Sequence, residues 1–367
     1  MIPENRKIRV GVIFGGKSAE HEVSLQSARN VHDAMDRNAF EPVLVGIDKG
    51  GRWRLVGDVA GLGSAPLSGE PLALAPENAG ALFALADGAP DQAAPAGRPL
   101  ASLDVAFPIL HGPFGEDGTV QGLLKLAGVP FVGSGVLGSA VGMDKDVMKR
   151  LFRDAGIPVG KFACLRSREP PPAFAEIEAA LGSPVFVKPA NMGSSVGISK
   201  VGDAAGFSAA LAEAFLYDTK AIVEERIPGR EIECAVLGND DPIASVPGEI
   251  IPRHDFYSYD AKYLDEHGAA LEIPARIDEG AAARIRELSL RAFRAIGCEG
   301  LARVDFFLRE DGEIILNEIN TMPGFTKISM YPKLWEASGV GYAQLISRLI
   351  ALALERHEKE KALKTSR

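Results

Sequence analysis

Apolar residues along this chain fall into two rhythms. Ile8, Val10, Val12, Ile13 and Phe14 form a short dense run, which predicts a buried strand over 8–14. Apolar positions at helical spacing follow and predict a helix over 20–35, and the run VLVGI predicts a second strand over 43–47. Strand, helix and strand in this order make a βαβ unit, so the fold class is α/β. Between 57 and 99 the chain turns to Ala, Gly, Pro and Leu without clear period, which predicts an elaborated insertion with one short helix and no chemistry. A further strand over 105–110 delivers HGPFGEDGTVQG at its C-terminal end, the edge at which open α/β sheets place ligands.

These elements close a first domain, 1–142, with an open parallel sheet. A second unit, 143–225, carries VFVKPANMGSSVGISK, which reads as strand, Gly/Ser turn and strand, a movable flap. The third, 226–367, is expected to hold strands over 233–237, 301–308 and 313–318, a helix from 342, and a charged tail after Leu354. No internal repeat interrupts this organisation.

Composition narrows the partners. The 367 residues are 46% apolar, enough for more than one core, and the net charge of −9 comes without a long basic run. That excludes the electrostatic footprint of a nucleic-acid or anionic-membrane binder and leaves small molecules as partners. Cys164, Cys234 and Cys298 lack the paired spacing of a zinc site or disulfide framework, which fits a reducing compartment. The polar start of the chain and the lack of an apolar stretch of about 18 residues predict neither signal peptide nor membrane span. The expectation is a cytoplasmic protein.

Two segments offer phosphate chemistry, and they are unequal. Gly11 to Ser18 satisfies the P-loop pattern G-x-x-x-x-G-K-[ST]. Yet Val12, Ile13 and Phe14 belong to the strand, and the few residues left cannot both turn the chain and encircle a pyrophosphate, so Lys17 is not read as a nucleotide ligand. In the GSSVG turn, by contrast, Gly193, Ser194, Ser195 and Gly197 let the backbone approach a phosphate, and Lys188 supplies charge at the preceding strand end. Taken alone, such a turn also reads as a flexible hairpin. A third segment, ARVDFFLREDGEIILNEINTMPGF, is a hairpin turning at Glu310-Asp311-Gly312. Asp305, Glu318 and Asn320 can share one face of its antiparallel pair, and three oxygen donors suit Mg²⁺. Solvated outward carboxylates are the alternative. Against it, both acids sit in apolar runs, where a buried carboxylate needs a partner.

Together GGKSAEHEVSLQSA, HGPFGEDGTVQG, KPANMGSSVGISKV, EERIPGREIECAVL, YDAKY and RVDFFL…NEINTMPGFT resemble the motifs of the D-alanine:D-alanine ligases, ATP-grasp enzymes of peptidoglycan synthesis. They follow the family's order over residues 15–332. The resemblance implies a three-domain ATP-grasp architecture, α+β in its nucleotide-binding part, with ATP between the central and C-terminal domains.

By motif position, Glu20 would pair with the first D-alanine's ammonium and His111 would sit near its carboxyl end. Lys145, Lys188 and the Ser194, Ser195, Val196, Gly197 turn would hold the phosphates. Glu224 and Glu231 would bind adenine and ribose. Phe256 lies in a lid over 256–264, and Lys262 there would reach the γ-phosphate. Arg303 and the N–H of Gly324 would form the oxyanion hole, while Ser329 and the N–H of Met330 would hold the second carboxylate. Asp305, Glu318 and Asn320 would bind two Mg²⁺ ions, replaceable by Mn²⁺, with K⁺ as an activator. Tyr263 would close a network with Ser194 and Glu20, the feature implying an amine rather than a hydroxyl acceptor. A homodimer is also implied. The ligases that use D-lactate or D-serine share the nucleotide apparatus and stay open as alternatives, as does a non-catalytic nucleotide-binding module.

Overall fold

The computed structural model describes residues 6–59, 67–76, 80–85, 97–252 and 269–364. Its first sheet begins with β1 (Ile8–Gly15), α1 (His21–Ala34), β2 (Phe40–Ile47) and β3 (Trp53–Val56), and continues through β4 (Glu70–Leu74), β5 (Ala81–Ala84), β6 (Pro99–Ser102) and β7 (Val105–Ile109). The strand order is β6-β5-β4-β3-β2-β1-β7. Only β2, β1 and β7 run parallel, as the βαβ reading requires. From β3 to β6 each strand pairs antiparallel with the last, so the expected parallel sheet is mixed. The described part of the 57–99 insertion is strand rather than helix. Its small residues give no helical stripe, and pairing to the sheet edge satisfies the backbone instead.

Three helices follow, α2 (Thr119–Leu126), α3 (Val136–Met143) and α4 (Lys145–Asp154). The second sheet has order β10-β9-β11-β8, built from β8 (Phe162–Arg166), α5 (Phe174–Leu181), β9 (Val185–Pro189), β10 (Ser199–Val201), α6 (Ala204–Ala214) and β11 (Lys220–Glu225). The expected strand–turn–strand flap is the antiparallel β9–β10 pair. The third sheet contains β12 (Arg230–Gly238), β13 (Ile243–Ala244), β14 (Gly248–Pro252), β15 (Ala269–Glu272), then α7 (Glu279–Ala295), β16 (Gly300–Leu308) and β17 (Ile314–Asn320). Helices α8 (Met330–Ala337) and α9 (Tyr342–Lys361) complete it. The charged stretch after Leu354 is not a tail but the last turns of α9, where Lys359 pairs with Glu355 one turn earlier.

One core joins the first and third sheets. Val12 and Phe107 from the first pack with Leu237, Phe325, Tyr331 and Leu349 from the third and its helices. Phe325 is its centre, fully buried and edge-on to Phe107 at 5.7 Å between centroids. The second sheet has a separate core with α5 and α6. This arrangement leaves a cleft where the ends of β1 and β7, the β9–β10 turn and the β16–β17 hairpin converge.

Candidate active site

The β16–β17 hairpin supplies the acidic wall of that cleft. Arg303, Asp305 and Phe307 alternate with the buried Val304 and Phe306, so the first three point away from the core. Asp305 pairs with Glu318 and Arg303 with Asn320 across the ladder, which puts all four side chains on one face. The alternation would break at Leu316 without a bulge between Asp305 and Phe306, which leaves Asn317 unpaired and turns both Asn317 and Glu318 toward the cavity. Arg303 grips Asp305 with two bonds of 2.8 and 2.7 Å, and its Nε lies 2.9 Å from Glu233, which opposes Asp305 on β12.

Opposite this wall lies the start of α1. Glu20 is buried at its N-terminus, and its carboxylate accepts a hydrogen bond from the hydroxyl of Ser194. Gly112, at φ +76°, faces the same carboxylate. A Cβ there would come within 3.0 Å of Glu20 Oε2 and 2.7 Å of Ser18 Oγ, so only glycine permits the approach. Two members of the Glu20–Ser194–Tyr263 network therefore meet, while Tyr263, Lys262 and Phe256 lie outside the described residues. Ser194 and Ser195 both hold left-handed backbone, φ 52° and 63°, an uncommon state for serine that costs about 1–3 kcal/mol and concentrates at ligand sites.

His111 sits beneath the cavity rather than in its lining. Its Nδ1 donates to the Met322 carbonyl at 3.1 Å, so Nε2 is left to accept from Ser27 Oγ at 3.4 Å. Burial pushes the imidazole below its ordinary range, against the pull of Glu20, and so favours its neutral form. By holding Met322, it fixes the loop that carries Gly324. Ser329 Oγ accepts from the Thr326 N–H at 3.0 Å, and Ser329 occupies the position before α8, whose first residue is Met330, without a side-chain bond to the helix. Gly324, Ser329 and Met330 all line the cavity, whose volume is about 390 Å³ and which takes in Glu20, Lys145, Asp305 and Glu318 as well.

The lysines come from two directions. Lys145 opens α4, donates from Nζ to the Met192 carbonyl at 2.6 Å and stands 3.9 Å from Glu318. Burial pulls its pKa down, with Glu318 opposing. Lys188 on β9 and Glu224 on β11 are neighbours in the second sheet, 2.6 Å apart, and Lys149 holds the other oxygen of Glu224 at 2.7 Å. Burial acts against both charges in that pair. Glu224 nevertheless lies well below the usual carboxylate range because two ammonium groups face it, and Lys188 is raised by Glu224 and then Glu318. Glu231 lines the cavity from β12. Ser195, Val196 and Gly197 complete the turn beyond Ser194.

The N-terminal P-loop pattern has no loop to work with. Gly11 is inside β1, and the Gly15 N–H goes to Ser24 Oγ at 2.8 Å and that of Gly16 to the Ile47 carbonyl at 2.8 Å. Donors spent on the fold cannot cradle a phosphate, and Lys17 lies exposed beside Gly51.

Two site residues escaped the sequence reading. One is Glu233. The other is Glu116 of HGPFGEDG, buried in the cavity lining, where it accepts from the Gly112 N–H at 2.7 Å. Burial and then the charge of Glu20 lift its carboxyl well above the ordinary range, with Gly112, Arg303 and Lys145 pulling the other way. The fold thus favours the protonated acid, whose stabilisation is full below the unfolded value of about 4.3 and is lost as pH rises through the folded one. Glu116→Gln, which keeps the shape and never ionises, is expected to gain thermal stability over the parent as pH goes from about 5 to about 9. Melting curves across that range test this, and a difference independent of pH would overturn it.

A cleft between two sheets, lined by Lys145 and Ser194 on one side and by Asp305 and Glu318 on the other, is that of an ATP-grasp ligase. The family follows from the whole chain. A model of the D-ala D-ala ligase N-terminus matches residues 9–134, and one of the D-ala D-ala ligase C-terminus matches 151–351. D-alanine--D-alanine ligase A of Chromobacterium violaceum is 55% identical over 98% of this chain and 99% of its own, and that of Salmonella typhimurium strain LT2 is 53% identical over the same shares. Among solved structures, the D-alanine-D-alanine ligase from Coxiella burnetii superimposes with a TM-score of 0.84 at 37% identity, covering 97% of this chain and 96% of that one. VanG D-Ala:D-Ser ligase from Enterococcus faecalis gives 0.83 at 38%, covering 95% and 100%. The chain belongs to the D-alanine–D-alanine ligase family.

Proposed function

We propose that the protein joins two D-alanine molecules into D-alanyl-D-alanine for peptidoglycan synthesis, converting ATP to ADP and phosphate. Identity above 50% along the full length of D-alanine–D-alanine ligases carries this reading. A carboxylate is a poor electrophile. Its oxygen therefore attacks the γ-phosphorus of ATP, ADP leaves, and the resulting acyl phosphate takes the amine of the second D-alanine at its carbonyl carbon. The nitrogen gives up a proton, and phosphate departs as the amide forms.

Each residue has a part that its position supports. Glu20 receives the first ammonium, with Ser194 orienting the carboxylate. His111 acts through the loop it holds. Lys145 and Lys188, with the Ser194–Gly197 turn, bind phosphate oxygens, and Glu224 and Glu231 take adenine and ribose. Arg303 and the Gly324 N–H stabilise the oxyanion of the tetrahedral adduct. Ser329 and the first N–H groups of α8, at Met330, hold the second carboxylate, where the helix dipole favours an anion. By motif position alone, Lys262, Phe256 and Tyr263 would close over the acyl phosphate and keep water from it.

Asp305, Glu318 and Asn320 fit Mg²⁺, because their donors are all hard oxygens on one face of the hairpin and the acids face Arg303 and Lys145 as internal counter-charges. When bound, Mg²⁺ or Mn²⁺ ions screen the phosphate oxygens against the incoming nucleophile. K⁺ as activator, a homodimer and a cytoplasmic location complete the proposal. No single helix among the described residues is long and apolar enough to cross a membrane.

The likeness to a D-Ala:D-Ser ligase gives a second reading, D-serine as acceptor. Equal D-alanine, D-serine and D-lactate, offered together with ATP, separate the readings by the masses of the products. D-Alanyl-D-alanine is expected to dominate, with phosphate release dependent on D-alanine. Predominance of the mixed dipeptide or the ester would replace the acceptor, and nucleotide binding without phosphate release would end the ligase reading.

A further inference from the structure

Helix α4 and strand β11 belong to different cores. Met148 and Phe152 pack with the third sheet, whereas Ala221 and Val223 pack in the second. Buried charges join them at two points. Toward the end of β11, Glu224 meets Lys149 of α4. At its start the polarity is reversed, for Lys220 donates to Asp144, and its Nζ lies 3.3 Å from Asp146. The side chain of Lys220 is 11% exposed and those of Asp144 and Asp146 are 18% and 7% exposed, so these charges depend on one another rather than on water.

The two acids flank Lys145 in the sequence. Asp144 caps α4, its other oxygen accepting from the Val147 N–H at 3.0 Å, and thereby sets the direction in which Lys145 leaves the helix. The Lys145 N–H donates to the Ala190 carbonyl at 3.0 Å, and the Ala190 N–H donates to the Lys220 carbonyl at 2.9 Å. From the Lys220 N–H a bond of 3.1 Å runs to Asp218, which also accepts from the backbone and side chain of Asn191 at 2.9 and 2.8 Å. Asn191 leads through Met192 and Gly193 into Ser194. A continuous chain of bonds therefore runs from the first turn of α4 to the Gly/Ser turn, and Lys220 is the member that ties it to both acids. Arg150 satisfies Asp146 from the far side, at 3.0 Å through two nitrogens, but belongs to α4 itself and cannot hold that helix to the second sheet.

We infer that Lys220 is a positioning residue for the nucleotide: by bridging Asp144 and Asp146 it fixes the second sheet against α4, so that Lys145 and the Ser194–Gly197 turn face the same phosphates. Lys220 touches no substrate. The inference rests on the proposed reading of Lys145 as a phosphate ligand.

Steady-state kinetics and calorimetric titration with ADP on the full chain test it. Lys220→Met is expected to raise the KM for ATP and the Kd for ADP by about tenfold, with kcat and the KM for D-alanine within about threefold of the parent. Lys220→Arg, which keeps the charge and the reach, should restore the nucleotide constants to within about threefold. Should Lys220→Met fail to fold, the double variant Lys220→Met with Asp146→Asn removes a buried charge of each sign, keeps the Asp144 cap, and is expected to show the same nucleotide defect. Unchanged nucleotide constants in the folded variant would overturn the inference, as would an arginine variant no better than methionine. Lys145→Ala separates the two levels. If it leaves ADP affinity intact, the phosphate-ligand reading fails and takes the inference with it; if it weakens ADP while Lys220→Met does not, the inference alone fails.

Discussion

Glu318→Gln is expected to lower turnover by roughly 10²–10³-fold while leaving the protein folded, because the loss is several kcal/mol of charge stabilisation during phosphoryl transfer. Glutamine keeps the size of the side chain and one oxygen. It removes the negative charge opposite Asp305 and leaves Lys145, 3.9 Å away, without its nearest carboxylate on the hairpin. The side chain is 32% exposed, so the substitution leaves the packing of the hairpin unchanged. Phosphate release followed against Mg²⁺ concentration, at saturating D-alanine, checks the assignment. A parent-like rate and Mg²⁺ dependence in the variant would take Glu318 out of the metal site. A folded variant that turns over slowly at every Mg²⁺ concentration supports it, and a thermal midpoint close to the parent's shows that the charge, not the packing, is what was lost.

Much of this wall was legible because β-strand chemistry is local. The alternation of RVDFFL specifies which residues of β16 face the cavity, and the turn EDG specifies that β17 returns beside it. The bulge at Asn317 was not legible, since one extra residue in an apolar run leaves no mark on period or composition. Strands β4 to β6 were hidden for a related reason. Ala, Gly and Pro carry too little apolar contrast to show a period of two, and their pairing is decided by the open edge of β3.

Long-range partners were the other blind spot. Glu233 reads as one acid in a buried strand until Arg303 is placed beside it, and Lys220 as an ordinary strand start until Asp144 and Asp146 arrive from α4. Glu116 stood in a motif noted for its glycines, yet its raised pKa comes from burial and then from Glu20, both of which only the fold supplies. Motif position located Glu20 and Ser194 more than a hundred residues apart, and the hydrogen bond between them is the contact that a local reading could not supply.

Arg303→Lys carries the second large expectation, a fall in kcat of about 10²-fold or more with a smaller change in nucleotide affinity. Lysine preserves the charge that Glu233 and Asp305 require, both of them largely buried, so the variant does not strand two acids in the core. What it cannot reproduce is the planar fork. The guanidinium binds Asp305 through two nitrogens at 2.8 and 2.7 Å while its Nε also lies 2.9 Å from Glu233, a geometry that sets the direction of the group facing the cavity. An ammonium satisfied by the same acids is a point charge with no fixed orientation toward a developing oxyanion. The defect should therefore appear in the rate of the chemical step, measured by single-turnover mixing of enzyme, ATP and D-alanine, and persist at saturating concentrations of both. A variant with parent-like kcat would remove Arg303 from the oxyanion site and reduce it to a strut between Glu233 and Asp305. A fall in kcat with ADP affinity held near the parent's is the result that keeps it there.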